Sequence, residues 1–425
     1  MHNGRLQEIL LKKLLTYTAL STILAAAQVQ AAGYHLREQS AAAQGNAYAG
    51  ATAGAENLSY AYFNAAGLTR QKGKNINFGG TYIAPKAEAK SIYNQTTGTP
   101  GESAQNIVHA AVAPNMAASW QINDKLYTAL AVNVPYGMIT KYDAAWQGKQ
   151  HGSTSKLTVV TTTPMVAYKV TDKLSLGGGM QIQYIKARLT SGRNTLLGAA
   201  NTSVEGKAVD LGWQLGSMYE FNDDTRLGLA YRSKVNHKIN GEMKTRLAAN
   251  DSPIPGAPDR DIYAKLITPA MLSMGVYHQL NDKWAVMAEY QRVFWSCFKD
   301  LIIKYDNGTP VSTTHEHWRD TNFFGVGGSY QIDNQWKWRF GMAYDQSAVR
   351  VQHRTPRIPD SDRLWYSTGL NYQYSEKLSF DMAYTYIYAH KAHMDTALTG
   401  NAGDRITAEY NNSIQLFGLS LNYKF

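Results

Sequence analysis

The chain has 425 residues, 44% of them hydrophobic, and a mean hydropathy of −0.37, too polar for a bundle of membrane-spanning helices. Its net charge of +10 comes from scattered rather than clustered Lys and Arg, which argues against nucleic acid and for an anionic membrane surface or an acidic ligand. The single Cys297 forbids an intrachain disulfide, whereas 28 Tyr, 9 Trp and 11 Phe suit the interface girdles of a membrane β-barrel.

Met1–Ala31 has a basic start (Arg5, Lys12, Lys13), an apolar run from Leu14 to Ala27, and small residues around Val29-Gln30-Ala31. This is the pattern of a secretory signal peptide cleaved after Ala31; as an anchor its apolar core is too short to span comfortably. A chain that leaves the cytoplasm cannot depend on ATP or nicotinamide, and no cofactor is expected. Ala32–Arg70 follows, rich in Ala and Gly, nearly free of β-branched residues and without alternation. It fits neither a strand nor an amphipathic helix. Small side chains allow close backbone approach, so residues 32–74 are expected to form a plug, or hatch, inside a wall built from residues 75–425.

From Asn75 onward the period is two. Leu174, Leu176, Met180, Ile182 and Tyr184 alternate with Ser175, Gly177, Gly179, Gln181 and Gln183, and Phe417, Leu419, Leu421, Tyr423 and Phe425 with Gly418, Ser420, Asn422 and Lys424. About ten alternating residues is the length of a tilted strand crossing a bilayer. Short polar turns recur at Asn123-Asp124-Lys125, Thr171-Asp172-Lys173, Asn222-Asp223-Asp224, Asn281-Asp282-Lys283, Asp333-Asn334-Gln335 and Ser375-Glu376-Lys377. Six tight turns and seven long loops give fourteen strands, provided Asn75–Tyr93 is one long bent strand. The expected fold is all-β, a 14-stranded antiparallel transmembrane barrel with both termini at the periplasmic rim of a bacterial outer membrane. A propeller shares the repeat of roughly 50 residues but packs four short strands into each unit rather than two long ones. In the third strand Pro135, followed by Tyr136 and Gly137, removes a ladder donor and marks a local break in pairing.

Several stretches occur in order along the mature chain: AGYHLREQSAAAQGNAYAGATAGAEN, FNAAGL (Phe63–Leu68), NVPYG (Asn133–Gly137), YRSKV (Tyr231–Val235), HWRDTNFFGVG (His317–Gly327), RIPDSDRLWYSTG (Arg357–Gly369) and the closing LFGLSLNYKF. Together they resemble the outer-membrane long-chain fatty acid transporter (FadL) family. The resemblance implies a fourteen-stranded barrel closed by an N-terminal hatch. It also implies passive uptake of hydrophobic molecules, with sideways exit at a kinked third strand; Pro135, Tyr136 and Gly137 are the lateral gate on this reading. The family's Asn-Pro-Ala hatch motif corresponds to Asn64-Ala65-Ala66, where losing the proline frees φ and restores a donor. No enzymatic role is implied.

A sixteen-carbon tail gains roughly 12 kcal/mol on burial before ordering costs, so the tail sets affinity and the head group sets orientation. A buried carboxylate needs a cation. Phe324 and Val326 facing lipid turn Arg319 inward by strand parity, and Tyr384, Tyr386 and Tyr388 do the same for Lys391. Lys337 and Arg339 also point to the lumen. Lys186 and Arg188 lie where the family places a basic residue, though simple parity turns them outward. Each of these has an ordinary solvated charge as its alternative. Tyr34, Leu36, Leu58, Tyr60, Tyr62 and Phe63, the bulky hatch residues, are expected to help form the site and to move on release; Leu36 and Phe63 are the named ligand contacts.

Other constellations carry less. His315-Glu316-His317 spaces two histidines for a metal but shows no third ligand nearby, so no metal is expected. No motif singles out a nucleophile. Gly177-Gly178-Gly179 reads as close packing for the plug. Rival functions are uptake of aromatic or alkane hydrocarbons, a general porin, and a surface adhesin or receptor working through the loops at 190–206 and 242–262. The expected partners are a fatty acid or other hydrophobic small molecule, outer-membrane lipid and lipopolysaccharide, with the protein a monomer.

Overall fold

The computed structural model describes residues 33–143, 145–398 and 404–425. The expected leader, Met1–Ala31, lies outside them. Among the described residues fourteen wall strands close into one antiparallel barrel. They are β1 (Lys74–Asn94), β2 (Ala111–Gln121), β3 (Leu126–Lys141), β4 (Thr154–Lys169), β5 (Leu174–Thr195) and β6 (Gly198–Glu220). β7 joins Thr225–Arg232 to Val235–Leu247, β8 joins Arg260–Thr268 to Met271–Gln279, and β9 joins Trp284–Val293 to Asp300–Tyr305. β10 joins Pro310–His315 to Thr321–Gln331. The last four are β11 (Trp336–Asp345), β12 (Arg363–Gln373), β13 (Leu378–Ala389 with Ala392–Ala397) and β14 (Arg405–Lys424). Antiparallel pairing of β1 with β14, from Asn75 opposite Lys424 to Asn94 opposite Ile406, closes the ring.

The six predicted tight turns share one device. Asn123, Thr171, Asn222, Asn281, Asp333 and Ser375 each accept, through the side-chain oxygen, the backbone N–H groups two and three residues on. Asn, Asp, Ser and Thr are the residues able to do this, which is why the turns are legible. Outward-facing Leu176, Met180, Val209, Leu211 and Leu419 are exposed, as the apolar belt of a membrane wall requires.

Residues 33–69 fill the lumen and are buried apart from Glu56, Asn57 and Phe63, which are partly so. Short helical turns at Ala41–Gly45, Ala51–Gly54, Leu58–Tyr62 and Ala65–Arg70 are capped by Ser40, Asn57 and Asn64 where a polar side chain precedes them. The wall gives way to this plug: a Cβ on Gly177 would lie 2.5 Å from the Ala65 carbonyl carbon and the Ala66 nitrogen. Only the first glycine of the Gly177–Gly179 run meets the plug; Gly178 and Gly179 abut wall residues instead.

Candidate functional site

Three sets of contacts fix the hatch to the wall. At the first, Asn64 caps the turn that follows by accepting from Ala66 N at 3.0 Å, while its amide donates to Thr52 O and to Ser217 O in β6, both at 2.9 Å. A cap and two cross-links hold the motif without the family's proline. At the second, Glu56 meets Arg339 at 2.8 Å and Lys337 at 3.4 Å, and Arg339 reaches Asp381 in β13 at 2.9 Å. Burial alone would raise the Glu56 carboxyl, but Lys337 and Arg339 outweigh it and hold the group far below the usual carboxylate range.

The third set joins the hatch to β3. Asn133 pairs with Thr161 but Tyr136 with Val159, so β3 carries one residue more than β4 across this step. That bulge moves the inward register from Ala131 and Asn133 to Tyr136 and Met138, and both Val134 and Pro135 are buried. Pairing of β3 with β2 stops at Val132 opposite Met116, while β2 runs on to Ala111 against β1 alone. Contact resumes only where Lys141 N donates to Ile107 O at 2.8 Å and Val108 bridges Thr140. The wall therefore has a bounded window between 109–115 and 133–139. Behind it the hatch behaves as a short extra strand: Leu36 N donates to Pro135 O (2.8 Å), Gly137 N to Tyr34 O (2.9 Å), and Gln39 Nε2 to Val134 O (2.8 Å). These bonds satisfy backbone groups that the kink takes out of the ladder, as water-free surroundings demand.

Above the hatch lies an apolar cavity. Leu157, Ile239, Leu266, Phe298 and Ile303 line it from the wall, Met138 from the kinked strand, and Tyr34 from the hatch. The Tyr34 ring packs edge-on against Trp295 (4.8 Å between centroids) and tilted against Trp318 (5.5 Å), and its hydroxyl donates to Ile267 O at 2.6 Å. The polar side holds Arg357, Lys156 and Glu316. Arg357, on the loop between β11 and β12, donates to Ser155 Oγ at 3.0 Å and to Thr190 O at 3.3 Å. Burial pushes its guanidinium down to about 10, partly offset by Glu316, and it stays a cation at neutral pH.

The basic residues singled out from the sequence do not line this cavity. Arg319 was expected to point inward, but β10 is interrupted at 316–320, where His317 has φ +43°, and parity does not carry across the break. Trp318 is buried instead, while Arg319 donates to Ser347 O at 3.0 Å and pairs with Asp362 at 3.4 Å. Lys391 is exposed because β13 breaks between Ala389 and Ala392. The two do come together, in an open polar basin shared with Arg350 and Arg354. Lys186 and Arg188 face outward, as simple parity has it, rather than into the lumen, and Lys186 pairs with Glu205 at 2.8 Å. Leu36 packs beside Val134 and Phe323. Phe63 lines a smaller polar chamber with His35, Arg37 and Arg232. Arg357 sits in a loop and carries no parity signal, so the sequence alone does not single it out.

Glu38 makes the docking of the hatch pH-sensitive. Burial raises its carboxyl to about 7, partly offset by Arg37 and Arg363. The folded hatch then holds a proton that an exposed Glu loses above about 4.5, so stability is full below that pH and declines until about 7. Amide exchange over Tyr34–Gln39 should show the opening free energy falling by up to about 3 kcal/mol between pH 5 and 8. Glu38→Gln should flatten that slope; an unchanged slope would assign the pH dependence elsewhere.

Residues 22–425 match the model of the outer membrane protein transport protein family (OMPP1/FadL/TodX). The chain is 30% identical to outer membrane protein P1 of Haemophilus influenzae, covering 96% of this chain and 98% of that protein. It is 28% identical to the long-chain fatty acid transport protein of Escherichia coli O6:H1, over 97% and 99% of the two chains. The crystal structure of a Pseudomonas aeruginosa FadL homologue superposes with a TM-score of 0.85 at 25% identity, covering 93% of this chain and all of the other. The chain belongs to the outer membrane protein transport protein (OMPP1/FadL/TodX) family, a group of outer-membrane transporters of hydrophobic molecules.

Proposed function

We propose that this protein takes up long-chain fatty acids passively, as a monomer, and releases them sideways through the window beside β3 rather than catalysing a reaction on them. One observation carries the reading: Tyr34 gives its ring to the apolar cavity and its carbonyl to Gly137 in the kink. A ligand that displaces Tyr34 thereby loosens the hatch strand behind the window. This answers how a site tight enough to bury an acyl tail can let it go.

Arg357 favours an acidic head group over a neutral hydrocarbon. Charge-assisted hydrogen bonds contribute about 1.5–3 kcal/mol, so Arg357→Gln should weaken fatty-acid binding about 10- to 100-fold. Binding of a neutral alkane should change little. Equal losses for both ligands would shift the reading to aromatic or alkane hydrocarbons. Mass spectrometry of lipids co-purifying with the detergent-extracted protein tests the wider proposal, with Ile239→Glu as the cavity-blocked control. Acyl chains are expected with the wild type and not with the control. Their absence from the wild type, together with large ionic conductance, would point to a porin.

The outward cations have a separate use. Lys186 lies opposite Lys207 on the outer face and Lys238 opposite Lys265, with Arg188 above, past the apolar positions Leu211 and Val209. Phosphates of outer-leaflet lipopolysaccharide fit such a patch. Replacing Lys207, Lys238 and Lys265 by Glu should lower lipopolysaccharide retention through purification severalfold without changing fatty-acid binding.

A further inference from the structure

The structure assigns a divalent transition-metal site of the zinc class to Asp300, His315, His317 and His353, on the outer face of the segment that roofs the apolar cavity. In the sequence the two close histidines lack a third ligand; strand pairing supplies one by setting Asp300 of β9 opposite His315 of β10. The ligating atoms of Asp300, His315 and His317 lie within 4.8 Å of one another, with His315 Nδ1 2.6 Å from Asp300 Oδ1. The loop after β11 brings the fourth group: the His353 ring centroid is 5.0 Å from that of His317, which in turn lies 5.8 Å from His315.

Two features separate this cluster from a chance surface ion pair. His317 holds its ring there from a left-handed backbone (φ +43°), a conformation that non-glycine residues seldom adopt. Its N–H and that of Glu316 both donate to Lys299 O at 2.8 Å, tying the break in β10 to the segment leading into β9. Three imidazoles and a carboxylate are a borderline-soft donor set suited to tetrahedral zinc, with bonds of about 2.0–2.2 Å. Closing from 4.8 Å asks only for rotation of side chains near the surface, His315 being 52% exposed.

The alternation within His315-Glu316-His317-Trp318 gives the site its consequence. Glu316 and Trp318 point the other way, into the cavity wall, and are bonded to each other at 2.8 Å. A metal joining β9, the break in β10 and the loop at 351–353 would clamp the roof from outside.

Titration of the full-length, detergent-folded protein with Co²⁺ should produce tetrahedral d–d absorption at one ion per chain, displaced by Zn²⁺. His317→Ala, or His353→Phe (which keeps a ring in place), should raise the dissociation constant by about 10- to 100-fold or more, since even the loss of an outer-shell partner costs that much. Heat-modifiable migration on gels shows that the variants remain folded barrels. Zn²⁺ should also slow amide exchange at 299–319 and 350–354. Equal Co²⁺ spectra for the wild type and the His315→Ala/His317→Ala variant, or no exchange protection at those segments, would overturn the assignment.

Discussion

Replacing Arg339 by methionine should turn a closed barrel into one that conducts ions in planar bilayers. Arg339 is buried between Glu56 of the hatch and Asp381 of the wall, and Asp381 also accepts from Asn57, Asn371 and Asn422 at 2.8–3.0 Å. Without the guanidinium, two carboxylates are left in a water-poor interior, with Lys337 and, farther off, Arg226 as the remaining cations acting on Glu56. Breaking a buried pair from one side costs about 3–5 kcal/mol. The ladder of β1 against β14 and its neighbours is untouched, so the loss falls on hatch docking. It raises the undocked population about a hundred- to a few-thousand-fold. A triple change, Glu56→Leu, Arg339→Met and Asp381→Leu, removes all three charges and should return conductance towards the wild-type level. A closed Arg339→Met barrel would show that the hatch is held chiefly by packing. Acid should act in the same direction on the wild type. The Glu56 carboxyl is depressed in the docked hatch, so its stabilisation is complete above the ordinary value of 4.5 and drains away as pH falls below it. Conductance should therefore rise below that pH, the opposite slope from the one Glu38 imposes between about 4.5 and 7.

How far the sequence speaks for the structure depends on whether a signal is local. Every turn was legible because one polar side chain closes it, and the strands because their two faces meet lipid and lumen. The luminal place of the hatch was legible from what it lacks, since Ala and Gly are the residues that let a turn such as Ala65-Ala66 lie on Gly177. Parity failed wherever a strand breaks. Arg319 and Lys391 each sit in an interruption a few residues long, and an interruption resets the register without changing composition. Lys186 and Arg188 show the reverse: in an unbroken stretch of β5 they face outward, as simple parity has it. Contacts between distant segments left no trace: Glu56 and Arg339 are separated by most of the barrel in sequence, and Arg357 enters the cavity wall from a loop. Of the proposed metal ligands, two were visible as spaced histidines; Asp300 required knowing that it pairs with His315, and His353 comes from a distant loop.

Deleting Pro135 should abolish uptake while leaving the barrel assembled and the cavity able to bind. The register identifies this residue as the surplus. Asn133 faces Thr161 and Tyr136 faces Val159, so one removal restores a continuous ladder in which Val134 meets Val160 and everything beyond keeps its partner and its face. Substitution alone is weaker: Pro135→Val with Gly137→Val returns the missing donor but leaves the extra residue, and should reduce uptake rather than end it. Once straight, β3 beyond Val132 comes within reach of Ala111–Asn115, whose edge it does not pair with now. Each new hydrogen bond adds about 0.5–1.5 kcal/mol, which favours a shut wall. The deletion also removes the carbonyl that Leu36 N donates to. Hatch opening is therefore expected to become easier, so lost uptake could not be blamed on a frozen hatch. Fatty-acid binding to the purified variant should stay within a few fold of the wild type, because among the residues lining the cavity only Met138 comes from β3, and it keeps its inward face. A folded deletion variant that binds and still imports at the wild-type rate would exclude the window as the exit and leave the lumen as the path. One that binds but does not import would place the passage where the hatch strand, the kink and Tyr34 meet.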